Sequence, residues 1–82
     1  MRVEVESNRQ HGMDMPQALR LSGRRVAVEV IDQWFGSDYR YCKVKAEDGA
    51  VYILRVIEHL SEWQLTLFVS PRAQARGVLS GT

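Results

Sequence analysis

The chain of 82 residues is short of the residues that most small-protein chemistry requires: it has one cysteine, two histidines, two prolines and no long apolar run. The lone Cys42 excludes an intrachain disulfide framework and fits a reducing compartment. His11 and His59 fall in two separate loop segments, with no cysteine or carboxylate at ligand spacing on a shared element, so no metal site is expected. Glycines 12, 23, 36, 49, 77 and 81 are isolated, and none opens a phosphate-cradling loop followed by Lys-Ser/Thr. No stretch approaches the ~18 apolar residues of a membrane span, and Met1-Arg2-Val3-Glu4 lacks the apolar core of a signal peptide. A soluble cytoplasmic protein without membrane contact is the expectation.

Charge of one sign is missing too. Eleven cations stand against ten anions, and setting aside Arg72 and Arg76 near the C-terminus leaves nine against ten. A body so close to neutral has no overall electrostatic footprint for nucleic acid or an anionic membrane, so either would need a local patch. With 45% hydrophobic and 26% charged residues the composition is that of a globular domain. One domain of this length buries only ~60–65% of its unfolded surface, so its stability margin is thin and dimerisation would widen it.

What is present is β pattern, centred on residues 39–56, YRYCKVKAEDGAVYILRV. Asp-Gly between two alternating runs is a strong hairpin signal. A two-residue Asp48-Gly49 turn would place Arg55 on the same face as Cys42, Val44, Ala46, Val51 and Ile53. A three-residue loop, Glu47-Asp48-Gly49 with Gly49 left-handed, instead groups Cys42, Val44, Ala46, Ala50, Tyr52, Leu54 and Val56 on an uncharged face. The second register is predicted. It leaves Tyr39, Tyr41, Lys43, Lys45, Val51, Ile53 and Arg55 on the other face.

Elsewhere, residues 2–6 alternate as a half-buried strand, residues 7–16 read as a polar loop ending at a proline, and residues 17–21 suggest a short strand before a Ser22-Gly23 turn. In residues 24–35 the phase breaks at Val30-Ile31; a β-bulge there and a strand that ends near Asp32 both fit. Gly36-Ser37-Asp38 is a turn, residues 57–62 a surface connection, and residues 63–69 a last strand with Trp63, Leu65, Leu67 and Val69 opposite Gln64, Thr66 and Phe68. Ser70-Pro71 suits a helix start that Gly77 would stop. The predicted fold is all-β: a small antiparallel, partly open barrel or bent meander of about six strands with little or no helix, over residues 1–69, followed by a flexible tail at 70–82.

The run Val28-x-x-Ile31-Asp32-x-Trp34, then Tyr39-x-Tyr41-x-Lys43-Val44, Asp48-Gly49-x-x-Tyr52-Ile53-Leu54-Arg55 and Trp63-x-Leu65 resembles a group of short bacterial β-domain proteins of unknown function. The resemblance spans roughly residues 16–68. It implies a stand-alone bacterial, cytoplasmic β domain and no particular activity.

No cluster has the composition of a catalytic centre, so a non-enzymatic protein without cofactor is expected. Cys42, inside an apolar face with no cation beside it, reads as a buried inert thiol. Asp32 reads as a strand-end residue bonding its own backbone, since a general acid or base needs a facing group. The possible interaction surface is Tyr39, Tyr41, Lys43, Lys45 and Arg55, with Trp34 and Trp63, because aromatics interleaved with cations can stack on bases or anchor a protein contact. Cross-strand packing and salt bridges explain the same pattern. One β sheet can fill one core face, which leaves Val51, Ile53, Phe35, Phe68 and a tryptophan competing for the second. An interaction module that binds itself or another protein is therefore the expected function, with single-stranded nucleic acid as the alternative; Glu4, Glu6, Glu29, Glu58 and Glu62 argue against that alternative. A closed barrel, or residues 7–15 folded over the patch, would remove the need for a partner.

Overall fold

The structure is a computed structural model and describes residues 1–70; the predicted short helix and tail at 71–82 lie outside the described residues. Six antiparallel strands follow one another as neighbours in a single curled sheet: β1 (Glu4–Gln10), β2 (Met13–Leu21), β3 (Arg24–Phe35), β4 (Arg40–Ala46), β5 (Val51–Ile57) and β6 (Glu62–Val69). A single 3-10 turn at Glu58–Leu60 joins the last two strands. The result is an all-β half-barrel, and the first and last strands meet only at one corner. There Arg2 bridges Gln64, Val3 N–H donates to the Trp63 carbonyl (3.1 Å), and Leu65 N–H donates to that of Met1 (2.6 Å).

Local chemistry explains the turns. His11-Gly12 and Ser22-Gly23 each have positive φ at both residues (53° and 77°, 52° and 76°), the two-residue primed turn that matches strand twist. The first of these corrects the loop predicted at residues 7–16. Ser7 to Gln10 pair with Met13 to Pro16, so the polar stretch is a projecting hairpin whose outer residues are exposed. It therefore carries little apolar alternation to signal a strand. At the central hairpin the three-residue register is the one found. Ala46 N–H donates to Ala50 O (2.8 Å), Gly49 has φ of 90°, and the Asp48 carboxylate accepts from Ala50 N–H (2.9 Å).

Two bulges decide which side chains share a face. On β3 the register shifts between Val30 and Asp32, which makes Ile31 the extra residue and carries the strand on to Phe35. On β6 the partner of Ile53 is Leu67 while that of Leu54 is Leu65, so Thr66 is the extra residue; its hydroxyl donates to Ile53 O (2.9 Å). This corrects the strict alternation predicted for residues 63–69. Leu67 and Val69 move to the face of Ile53 and Val51, and Phe68 comes beside Tyr52, ring centroids 5.1 Å apart.

The concave face is the core: Leu19, Cys42, Val44, Leu54 and Val56 are fully enclosed, with Val3, Tyr52 and Trp63 around them. One charged residue belongs to it. Arg40 is 1% exposed and is in line with Cys42 and Val44 on β4, so the uncharged face predicted from residue 42 onward acquires a guanidinium one step earlier.

Candidate functional site

The convex face of β3 to β6 gathers most of the residues singled out from sequence. Cross-strand pairing sets three rows: Glu29, Lys45, Val51 and Val69; Asp32, Lys43, Ile53 and Leu67; Trp34, Tyr41, Arg55 and Gln64. Tyr39 flanks the third row. Trp34 stacks on Tyr41 with centroids 5.5 Å apart and ring planes 6° from parallel, and Tyr39 meets Tyr41 at 6.2 Å. The Arg55 guanidinium is 4.3 Å from the Tyr39 ring centroid and donates through Nε to Gln64 Oε1 (2.6 Å). That stacking holds Arg55 on the Tyr39 ring, at the end of a row of three aromatic rings.

Two kinds of surface adjoin on this face. Among the described residues Lys43 and Lys45 make no ion pair within 4.0 Å, with Asp32 and Glu29 as their cross-strand partners on β3; the carboxylates that do pair are Glu6 with Arg20 and Arg25, and Asp14 with Arg9, on the β1–β2–β3 side. Opposite charge directly across the ladder still accounts for the placing of the two lysines. Beside them Trp34 and Leu67 stay 38% and 50% exposed. Of the competing apolar residues, Val51, Ile53 and Trp34 are on the convex face, whereas Phe35 and Phe68 stand at the rim of the concave one. Residues 7–15 form the first hairpin and do not fold over the patch.

Trp63 does not join this surface. It pairs with Val56 on the concave side and is 5% exposed, since β6 alternates normally before its bulge. Nor does Cys42 lack a cation. Arg40 Nη1 donates to its Sγ at 3.2 Å, within an enclosed site that leaves the thiol fully buried. Sequence reading missed Arg40 because arginine at a strand's first position usually reaches solvent; its phase with Cys42, Val44 and Ala46 was the available signal.

The other candidates stay apart. Asp32 Oδ1 accepts from Gln33 N–H (2.8 Å), and His11 and His59 are exposed in separate turns. Among the described residues no three His, Cys, Asp or Glu side chains converge as a metal would require, and no helix is long and apolar enough to cross a membrane.

One tyrosine departs from ordinary acidity. Burial, with a smaller contribution from Asp48, raises the Tyr52 pKa above the usual phenol value, while Arg24 works weakly in the other direction. A phenol held neutral in the fold stabilises it fully below the unfolded value near 10, and that stability is lost as pH rises through the folded value. Ultraviolet titration should thus show Tyr52 ionising above the usual phenol value, and Tyr52→Phe should remove that late step. A Tyr52→Phe variant that keeps the late step would contradict it.

Comparison with known proteins finds no matching family model, no similar curated protein and no similar solved structure.

Proposed function

We propose that the protein is a non-enzymatic interaction module that associates with a second copy of itself through the convex face of β3 to β6. The observation that carries this reading is the exposure of Trp34 and Leu67 on the convex side of the sheet, where Tyr41 and Ile53 are half-buried and Val51 is buried. Large apolar side chains left exposed on one sheet face of a small domain favour a contact surface. A two-fold pairing of two such faces covers both at once. The single cysteine, buried and unavailable for cross-linking, fits a cytoplasmic setting, as does the resemblance to short bacterial β domains.

Sedimentation velocity of the full chain at micromolar concentration tests the proposal. A concentration-dependent dimer is expected, and Leu67→Lys should weaken it by roughly tenfold or more through burial of an unpaired charge. A strict monomer for the unsubstituted chain would overturn it. Leu67 is half exposed, so the variant keeps its fold.

A second reading has its own observation. The near-parallel Trp34–Tyr41 stack with Lys43, Lys45 and Arg55 alongside is the arrangement that single-stranded nucleic acid uses, with bases on rings and phosphates on cations. If it holds, binding to mixed oligonucleotides falls steeply with salt, and Tyr41→Ala costs about 1–3 kcal/mol of binding. Absence of binding at low salt removes it.

A further inference from the structure

We propose that the outer edge of β1 is a second contact between copies of this chain, formed by two β1 strands paired antiparallel about a two-fold axis at Ser7. Strand β1 is the first in the sheet, and among the described residues no strand pairs with its outer side from Glu4 to Gln10. Such an edge is a template for another strand. Natural edges are blunted by proline, lysine or a bulge, and this one has none: the register slip opposite Glu6 and Ser7 leaves Gln17, on β2, as the extra residue.

Which main-chain groups face outward follows from both ends of the strand. At its start, Met1 O and Val3 N–H point away from β2 to meet Leu65 N–H and Trp63 O of β6. At its end, the two-residue His11-Gly12 turn makes Gln10 and Met13 a hydrogen-bonded pair, so Gln10 directs its N–H and C=O toward β2. Period two carries both observations to the same result: Val5, Ser7 and Arg9 direct their N–H and C=O groups outward.

The sequence of the edge identifies the occupant as a second copy. With the axis at Ser7, Val5 pairs with the partner's Arg9, Glu6 with the partner's Asn8 and Glu4 with the partner's Gln10, so each carboxylate meets a side-chain amide that can donate to it. Moving the axis to Glu6 would set that carboxylate against its own copy, and moving it to Asn8 would leave Glu4 and Val5 unpaired. Intermediate shifts oppose side chains of different faces. The ladder ends at Glu4, one residue before Val3, whose N–H already serves Trp63. Glu6 brings no bare charge to it, since Arg25 Nε donates to its carboxylate at 2.9 Å. The fold needs the pairing too: before Ala18, β2 has no ladder with β3, so residues 7–10 and 13–16 are a two-stranded ribbon. Such a ribbon is marginal in water, and joining β1 to β1 of a second copy turns two ribbons into one four-stranded sheet.

This contact goes beyond the convex-face dimer and is tested apart from it, in the full-length Leu67→Lys chain. Hydrogen exchange followed by NMR at rising concentration is expected to slow the amides of Val5, Ser7 and Arg9 and to leave those of Glu6 and Asn8, which face β2, unchanged. Ser7→Pro removes a donor that faces outward and so spares the hairpin. It should abolish the effect, while Ser7→Pro without Leu67→Lys should keep the convex-face dimer. Asn8→Glu sets a second carboxylate against the partner's Glu6 and should weaken association in sedimentation roughly fivefold, whereas Asn8→Lys should strengthen it. Exchange that does not depend on concentration, equal slowing of odd and even residues, or equal affinities for the two Asn8 variants would overturn the proposal. So would Val5, Ser7 and Arg9 amides already protected in the monomer, since residues 71–82 or another segment would then hold the edge.

Discussion

Replacing Arg40 with alanine is expected to destabilise the domain by about 3 kcal/mol, read as a lower urea midpoint. The side chain is 1% exposed, and its fork reaches the Asp14 carbonyl, the Met15 and Cys42 sulfurs and the Gln33 amide, with the guanidinium 5.7 Å from the Trp63 ring centroid. Truncation empties the space of a long side chain and strands acceptors that water reaches poorly, so transfer and desolvation costs add. A domain of this size has only about 5–10 kcal/mol to lose. Arg40→Lys should recover little, because an ammonium lacks the planar fork that engages β2 and β4 together. A change below about 1 kcal/mol for the alanine variant would mean that the brace does not hold the half-barrel together.

Trp63→Ala should cost about as much, 3–5 kcal/mol. The ring fills the concave face opposite Val56, beneath the Arg40 guanidinium, and its own backbone oxygen accepts the Val3 N–H that closes the barrel corner. Loss of the ring removes packing from β6 and loosens the seam with the N-terminus at the same point. Trp34→Ala should by contrast cost below about 1 kcal/mol of fold stability, since that ring is 38% exposed and stacks only on one side. Fluorescence separates the two: Trp63→Phe should leave the solvent-shifted emission of Trp34 alone. Equal stability losses for the two alanine variants would contradict the assignment of one ring to the core and the other to the surface.

The central hairpin was legible because its information is local. Asp48-Gly49 and the choice between a charged and an uncharged face are both contained in residues 39–56, and they sufficed to place Tyr39, Tyr41, Lys43, Lys45 and Arg55 on one side. The first hairpin was hidden for the opposite reason. Residues 7–10 are exposed along their length, so burial imposes no alternation, and only His11-Gly12 marks the turn. Bulges are also weakly encoded: the extra residue at Ile31 showed as a break in phase, whereas that at Thr66 sits within a perfect alternation and reveals itself only through the partner strand. Arg40 and Trp63 illustrate a further limit. Their burial depends on the curl that brings β2 and the N-terminus against β4 and β6, a long-range contact that no short window contains.

The most direct test of the convex face as a self-association surface is a dilution series of the unsubstituted chain followed by NMR. Concentration-dependent shifts are expected on the Trp34 indole N–H and the backbone amides of Tyr41, Ile53 and Leu67, with the concave core unchanged. Spectra that do not change with concentration, or shifts confined to the β1 edge, would contradict it.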